Sequence, residues 1–263
     1  MLVEVVKIIF SFAVEVMNKM KLVLLTSVMF VLTACSNDES ETKTIRLAHG
    51  LDVKHPVHLA LVYFKEHLAE VSGGQLVVNV FPAGQLGTER EIIELIQFGT
   101  IGMTKVSASS LEAFVPNMKV FGLPYLFSDS EHYWRILSGP IGQSLLDDDK
   151  FRIKGLGYFD AGSRSFYATE HKISSPEDLS GLKIRVMNSQ SAVNMVNTMG
   201  GAATPVSWGE LYTALQQGVV DGAENNPPSF FYSKHYEVSK YYVLDEHTSN
   251  PDVIIIGTHL WQQ

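Results

Sequence analysis

The sequence has little cysteine, few long apolar runs and no excess of positive charge. Each of these features excludes a class of protein. The single cysteine, Cys35, excludes an internal disulfide framework and a metal site built from several thiolates. The apolar run 22–34 is shorter than the roughly 20 residues that a membrane-spanning helix needs. With 20 Lys and Arg against 28 Asp and Glu, the formal net charge of -8 argues against a nucleic-acid partner.

Potential metal ligands also lack the spacing that metal sites require. His55 and His58 are not separated by the four positions of a zinc-binding helix, and no acid completes a set with His49. The adjacent acids at 147–149 lack the alternate spacing of a calcium loop and are typical of a solvated helix end. We therefore expect no metal ion and no cofactor.

The N-terminal region has the composition of a bacterial export signal. Residues 19–35 combine a basic start, an apolar centre and small residues before Cys35. The ending Leu-Thr-Ala-Cys resembles a lipobox, which implies cleavage before Cys35, lipidation of its sulfur and export across the inner membrane. We expect 1–34 to be a lipoprotein-type signal peptide and 35–43 to be a tether. An uncleaved N-terminal anchor is the alternative, and Met17 and Met20 are alternative start sites.

The rest of the chain alternates strand and helix patterns. With 46% hydrophobic and 18% charged residues, 263 residues can bury a sizeable core in one or two domains. Apolar residues at helical spacing predict a helix at 57–71, between predicted strands at 45–48 and 75–81. A capping box at Thr88 opens the next helix. This β-α-β order predicts an α/β fold with largely parallel sheets.

Three further segments carry local structural predictions. The segment 121–127 is apolar and punctuated by turn residues, which predicts buried core or a cleft wall. Ser207 and Glu210 match a second capping box. Residues 221–226 are polar and precede two prolines, which predicts a turn that closes a helix.

Two isolated arginines mark a candidate anion site. Arg185 lies in the alternating run 182–187, a predicted half-buried strand in which an unpaired guanidinium is costly. Arg164 lies in a small-residue loop, Trp208 supplies an aromatic wall and Asn225 supplies an amide. This combination suits an organic anion, and no nucleophile held by a base accompanies it in the sequence pattern.

Each candidate residue also has a purely structural interpretation. In that interpretation Arg185 forms a salt bridge with a neighbouring acid, and Arg164 pairs with Asp160. Trp208 would pack in the core, because large aromatic residues often staple a helix start. Asn225 would cap the turn that it occupies.

Several motifs together resemble one protein family. They are Gly-Gln-Leu-Gly, Gly-Ser-Arg, Gly-Leu-Lys-Ile-Arg-Val, Thr-Pro, Glu-Leu-Tyr-Thr-Ala-Leu-Gln-Gln-Gly and Val-Asp-Gly-Ala-Glu-Asn, at 84–87, 162–164, 181–186, 204–205, 210–218 and 220–225. From Thr44 onward the chain resembles the extracytoplasmic solute-binding proteins of TRAP (tripartite ATP-independent periplasmic) transporters, of the dicarboxylate-binding, DctP-like type.

This resemblance implies a fold and a domain division. The implied fold is the two-lobed periplasmic-binding-protein fold, an α/β fold with mixed, largely parallel sheets joined by hinge strands and a long helix. We expect lobe I at 44–160, lobe II at 161–245 and a return to lobe I at 246–263. Chains of the family continue further, which implies that a C-terminal part of the fold is missing.

The resemblance also implies the substrate-binding residues, which are Arg185, Arg164, Asn225, Trp208, Glu89 and His49. Arg185 is expected to hold the ligand carboxylate in a bidentate salt bridge, assisted by Arg164. Trp208 is expected to pack on the ligand, and Asn225 to form a hydrogen bond with it. Glu89 and His49 are expected to face the cleft, with a neutral His49 donating to ligand hydroxyls.

The implied function is transport, and we expect no enzymatic activity. We expect a periplasmic solute-binding protein, lipid-anchored through Cys35 or secreted, that delivers a small organic acid to TRAP membrane permease subunits. Polar residues around Arg164 and Arg185 favour a sugar acid such as a uronate over a C4-dicarboxylate. The alternatives are a secreted enzyme acting on carboxylates and the binding protein of an ATP-driven importer.

Overall fold

The chain folds into two lobes, each built on one mixed sheet, and it crosses between them twice. The structure is a computed structural model, and it describes residues 42–147 and 151–263. The predicted signal peptide, Cys35 and nearly all of the tether lie outside the described residues, as do two of the three acids at 147–149. Residues Lys43–Gln263 form one compact unit.

Each sheet has parallel pairings on one side and antiparallel pairings on the other. The described strands are β1 Lys43–Ala48, β2 Leu76–Phe81, β3 Met103–Ser107, β4 Ile153–Phe159, β5 Ser165–Ala168, β6 Lys183–Val186, β7 Ala202–Pro205, β8 Gly222–Asn225, β9 Tyr241–Tyr242 and β10 Asp252–Gly257. The first sheet has the order β2-β1-β3-β10-β4 and the second has the order β7-β6-β8-β5-β9. β1 is parallel to β2 and β3, and β6 is parallel to β7 and β8. β10 and β5 are antiparallel to both of their neighbours, and the predicted two-lobed fold with mixed sheets is confirmed.

Helices cover both faces of each sheet. The described α-helices are α1 Pro56–Val71, α2 Glu89–Gln97, α3 Ala108–Leu111, α4 Ser130–Leu137, α5 Pro140–Leu146, α6 Gln190–Thr198, α7 Leu211–Gln216, α8 Pro227–Tyr232 and α9 Thr258–Trp261. Helix α2 packs Ile92, Ile93 and Ile96 on one face of the first sheet, and α1 packs Val57 and Leu61 on the other. Helices α6 and α7 cover the two faces of the second sheet.

The longest described helix is α1, with 16 residues, so the long helix expected between the lobes is not among the described elements. Nor does any described helix combine the length and the apolar character that crossing a membrane requires.

One of the two predicted capping boxes is confirmed. At the start of α2, Thr88 accepts from the Glu91 N–H, and the Glu91 carboxylate accepts from the Thr88 N–H. Ser207 makes no such side-chain bond, so the second predicted box is wrong. Residues Trp208–Glu210 form a short 3-10 turn there before α7 begins.

The predicted polar turn at 221–226 is also wrong, because Gly222–Asn225 form the buried strand β8. β8 pairs with β5 and β6, so the sheet satisfies its backbone groups. A Cβ at Gly222 would lie 2.5 Å from the Tyr167 carbonyl oxygen, which shows how closely β5 approaches. In the segment 121–127, Phe121 is buried but Tyr125 is exposed, so only part of it is core.

The two crossings between the lobes pair with each other. The chain leaves β4 through 160–164 and returns from β9 to β10 through 243–251. The Arg164 N–H donates to the Thr248 carbonyl oxygen at 2.7 Å, which forms an antiparallel bridge. His247 is buried beside it and stacks on Phe166, with ring centroids 4.2 Å apart. The connection between the lobes is therefore a narrow, two-stranded ribbon.

Candidate functional site

A cavity of about 600 Å³ lies between the lobes, a volume typical of small-molecule sites. The first lobe contributes Lys105 from β3 and Asp252 from β10 to its lining. The second lobe contributes Arg185 from β6 and Asn225 from β8, together with Trp208. Strand residues of both lobes therefore converge on one polar space.

Arg185 is buried without an acidic partner among the described residues. Arg185 is 2% exposed, and its Nε donates to the Val206 carbonyl oxygen at 2.8 Å. Its Nη1 has no hydrogen-bond partner within the described part of the chain. Burial lowers the pKa of Arg185, although a guanidinium remains charged in proteins. An incoming anion would satisfy both the charge and the orphaned donor.

Arg164, in contrast, is occupied by Glu224. Its Nε and Nη2 donate to the Glu224 carboxylate, with Nη2–Oε1 at 2.8 Å, and Nη2 also donates to the Glu224 carbonyl oxygen at 2.7 Å. Burial by itself raises the pKa of Glu224, but the Arg164 charge and His247 outweigh it and lower that pKa to about 2. Asp160, the acid considered as a partner for Arg164, accepts from the Gly162 N–H instead.

Trp208 lies between the cavity and the core of the second lobe. It is half-buried, it packs against the Leu211 cluster, and its ring centre lies 5.8 Å from the Arg185 Cζ. This distance suits a cation–π contact that holds the guanidinium in place. A Cβ at Gly50 of the first lobe would lie 3.5 Å from the Trp208 Cδ1, so the two lobes meet at this ring.

Asn225 is held against Arg164. Its Oδ1 accepts from the Arg164 Nη1 at 2.8 Å and from the Asn226 N–H at 2.9 Å. The capping residue of α8 is Asn226, whose Oδ1 accepts from the Ser229 N–H at 2.8 Å. The amide N–H groups of Asn225 are not used by these bonds, so they are the part of this side chain that can donate to a ligand.

The opposite wall contains two residues that sequence reasoning missed, Lys105 and Asp252. Lys105 pairs in register with Ile254, so Asp252, two positions along β10, lies diagonally on the same face. The Lys105 Nζ is 2.8 Å from the Asp252 Oδ2 and 4.0 Å from the Glu89 Oε1. A charged residue inside an apolar strand was the signal that identified Arg185, and Lys105 in 103–107 carries the same signal.

Glu89, the predicted first-lobe residue, lines the cavity as the first residue of α2. Its Oε1 accepts from the Ser107 N–H at 3.3 Å, and its Oε2 accepts from the Ser110 hydroxyl. Its carboxylate is therefore anchored to β3 and α3 rather than left mobile at a helix start.

His49, which was predicted to donate to the ligand, is not among the residues that line the cavity. Its Nδ1 accepts from the Leu51 N–H at 3.1 Å, so the proton lies on Nε2, which donates to the His58 Nδ1 at 3.0 Å. Burial and the Lys105 charge lower the pKa of His49 to about 3, so the ring is neutral. Both ring nitrogens of His49 are occupied by protein groups.

Residues 42–147 and 151–263 contain no metal-site grouping of three or more His, Cys, Asp or Glu side chains.

A sequence model of the DctP family, described as bacterial extracellular solute-binding protein, family 7, matches residues 47–263. A TRAP periplasmic solute-binding protein from Xanthobacter autotrophicus, solved with bound β-D-galacturonate, is 38% identical with a TM-score of 0.81. The match covers 83% of this chain and 73% of that one. The corresponding protein from Pseudomonas putida with bound D-glucuronate is 36% identical, with a TM-score of 0.81 and coverage of 84% and 73%.

A curated relative, the uncharacterized protein YiiZ of Salmonella typhimurium, is 41% identical over 219 residues. The match covers 81% of this chain and 66% of the relative, so the chain spans slightly less than two thirds of that protein's length.

Proposed function

This chain belongs to the DctP family of bacterial extracellular solute-binding proteins, and from this premise we propose that it captures a small organic acid and delivers it to the membrane permease of a TRAP transporter. The observation that carries the proposal is Arg185, a buried guanidinium that faces a cavity between two lobes and has no acidic partner among the described residues. A carboxylate fits this position because its two oxygens match the parallel donors of a guanidinium.

In this proposal the neighbouring side chains position the acid. Trp208 forms a flat wall beside Arg185, and Asn225 donates an amide N–H to the ligand. Arg164 holds the Asn225 oxygen and contributes positive potential, although Glu224 neutralises most of its charge. Glu89 forms part of the wall that the other lobe contributes.

Binding would drive closure of the lobes about the ribbon formed by 160–164 and 243–251. In this structure the lobes meet where Gly50 lies against the Trp208 ring, and a ligand bridging the cavity would add further contacts between them. The ligand can change the equilibrium constant between the open and closed states by no more than the ratio of its affinities for those two states. We assign 44–160 and 246–263 to lobe I and 161–245 to lobe II.

The proposed location is the periplasmic side of a bacterial membrane, with the protein either lipid-anchored or secreted. Support comes from the export-type segment before Cys35 and from relatives that are named as periplasmic solute-binding proteins. Lipidation of Cys35 would keep the protein near its permease. Mass spectrometry of membrane-bound protein tests this part, since an unmodified, freely secreted chain contradicts the anchor.

The substrate class that we propose is a sugar acid such as a uronate, with a C4-dicarboxylate as the second candidate. The solved relatives from Xanthobacter autotrophicus and Pseudomonas putida contain uronates, which supports the first. A secreted carboxylate-converting enzyme is not favoured, because the family that matches is one of binding proteins. Incubation with a panel of acids should leave each acid unchanged.

Calorimetric titration with galacturonate and succinate tests the role of Arg185. Because hydrogen bonds to charged groups contribute about 1.5–3 kcal/mol each, Arg185→Ala should weaken binding by at least about 100-fold. Arg185→Lys keeps the charge but loses the planar fork, and should weaken it by at least about tenfold.

The matched control is Arg135→Ala, since Arg135 is exposed on α4 and its contact with Glu131 measures 3.8 Å. Affinity should be unchanged in this variant. If Arg185→Ala binds as tightly as the wild type, the anchor is wrongly assigned, and if no carboxylic acid binds the wild type, the proposed function fails.

A further inference from the structure

A buried histidine lies behind the cavity wall that the second lobe contributes. His235 begins the 3-10 turn His235–Glu237 and is 1% exposed. The residue before it, Lys234, has a left-handed φ of 56°, so the chain turns sharply where His235 enters the core. His235 is not among the residues that line the cavity. It would therefore act on a ligand through another side chain.

Trp208 is the side chain through which His235 reaches the cavity. The centroids of the two rings lie 5.2 Å apart, within the range of aromatic contacts. On the cavity side, the Trp208 ring centre lies 5.8 Å from the Arg185 Cζ. Trp208 begins a short 3-10 turn that has no side-chain capping bond, so packing orients its ring. His235 is part of that packing.

The ring of His235 is itself oriented by a hydrogen bond. Its Nδ1 lies 2.7 Å from the hydroxyl of Tyr167, a residue that is 1% exposed. Burial raises the pKa of Tyr167, so the hydroxyl stays protonated at neutral pH. Burial and then the Arg185 charge lower the pKa of His235 to about 4, so the imidazole is neutral there. The bond therefore joins two neutral groups and adds no charge beside Arg185.

Sheet register places Tyr167 and Arg185 in one row. Tyr167 on β5 and Arg185 on β6 both pair with Ala223 on β8, the strand between them. Residues in register on neighbouring strands point to the same face of a sheet, and Trp208 packs on this face. A continuous path of contacts therefore runs inside the second lobe from the Tyr167 hydroxyl through His235 and Trp208 to the Arg185 guanidinium.

We propose that His235 is a positioning residue for ligand binding: held by the Tyr167 hydroxyl, it fixes the Trp208 ring and, through that ring, the Arg185 guanidinium. This inference rests on the proposed function, in which Arg185 binds a carboxylate. Binding is tighter when the groups that meet a ligand are already held in the bound geometry, because less freedom is lost on binding. Tyr167 and His235 supply this restraint to a guanidinium whose Nη1 has no hydrogen-bond partner among the described residues.

Titration of galacturonate into the wild type, Tyr167→Phe, His235→Phe and the double variant tests the proposal. Tyr167→Phe keeps the ring and removes the hydroxyl, whereas His235→Phe keeps a ring against Trp208 and removes the nitrogen that meets that hydroxyl. Each single variant breaks the same bond, so each should weaken binding by at least about fivefold. The double variant should bind no more weakly than the weaker single variant, because the bond can be lost only once.

The orientation of Trp208 gives a readout that a purely structural role would not change. The chain has three tryptophans, so Trp134→Phe combined with Trp261→Phe leaves Trp208 alone. In this background and without ligand, Tyr167→Phe and His235→Phe should each weaken the tryptophan band in near-UV circular dichroism. The reason is that an aromatic side chain loses this signal when its packing is no longer fixed.

Tyr158→Phe is the matched control. Tyr158 is partly buried in the first lobe, where its hydroxyl donates to the Gly142 carbonyl oxygen at 2.8 Å, and it is not among the residues that line the cavity. The variant loses a comparable hydrogen bond and should lower stability in thermal melts. Its galacturonate affinity and its Trp208 signal should equal those of the wild type.

Three results overturn the inference while the proposed function stands, with galacturonate still bound by the wild type and lost in Arg185→Ala. The first is wild-type affinity in both single variants, whatever their stability. The second is a double variant in which the two fold-changes multiply, since the hydroxyl would then not act through His235. The third is an unchanged Trp208 signal.

Tyr167→Phe decides alone if His235→Phe does not fold, and unchanged affinity in Tyr167→Phe then overturns the inference. If no carboxylic acid binds the wild type, the proposed function fails, and the inference fails with it.

Discussion

Replacing Glu224 with glutamine tests the buried ion pair that distinguishes Arg164 from Arg185. Glu224 is 1% exposed and Arg164 is 5% exposed, so neither charge is solvated. The substitution preserves size and one acceptor oxygen but leaves the Arg164 guanidinium without its counter-charge. Breaking a buried pair by removing one partner typically costs about 3–5 kcal/mol, because the remaining charge is uncompensated.

The pKa of Glu224 gives a second magnitude for the same interaction. It falls from an ordinary value of 4.5 to about 2 in the folded protein. At about 1.36 kcal/mol per unit, this difference corresponds to about 3 kcal/mol of stability. Because the folded pKa is the lower one, the stabilisation is fully present above about pH 4.5 and is lost as the pH falls towards 2.

Urea denaturation at several pH values measures both effects on the free energy of unfolding. At pH 7 Glu224→Gln should lose about 3 kcal/mol, which lowers Tm by about 6–12 °C for a domain of this size. Between pH 5 and pH 3 the difference from the wild type should fall by about half.

The control for this experiment is Glu94→Gln, which removes an exposed helical pair with Arg90 at 3.2 Å. It should change stability by no more than about 0.5 kcal/mol. A loss below about 1 kcal/mol for Glu224→Gln at pH 7, or equal losses for the two variants, refutes the interpretation of Glu224 as the buried counter-ion.

Two further predictions concern backbone packing and the contact between the lobes. Gly222→Ala should lose about 1–3 kcal/mol, since its Cβ would lie 2.5 Å from the Tyr167 oxygen, whereas Gly209→Ala, with no atom within 4 Å, should be neutral in thermal melts. Glu112 accepts from the Ser189 and Ser191 hydroxyls of the other lobe at 2.6 and 3.0 Å. Glu112→Ala should therefore weaken ligand affinity about fivefold in titrations; unchanged affinity with reduced stability would mean that this contact persists in the open state.

The sequence alone predicted the elements whose signals are local. Apolar spacing located α1, because a helix that covers a sheet shows its buried face every three to four residues. The Thr88 capping box marked the start of α2, since both of its hydrogen bonds join residues three positions apart. The isolated position of Arg185 in an apolar run marked it as a candidate anion-binding residue, because burial of an unpaired charge is costly wherever the strand lies.

Long-range pairing decided the features that the sequence left open or predicted wrongly. The polar stretch at 222–225 became a buried strand only because β5 and β6 lie on either side of it. The sequence pattern did not indicate that the Nε2 of His49 would bond to His58, nine positions along the chain.

The two arginines show the division most clearly. Their local sequences mark both as candidate anion-binding groups, but Glu224 lies 60 positions from Arg164, and only the sheet pairing of β5 with β8 brings the two together. The first lobe likewise brings Lys105 next to Asp252 by pairing β3 with β10. Sequence determined which residue types and strands were available, because propensity and burial act locally. Tertiary structure determined that Arg164 is paired and that Arg185 has no acidic partner among the described residues, because the strength of an ion pair depends on distance in space.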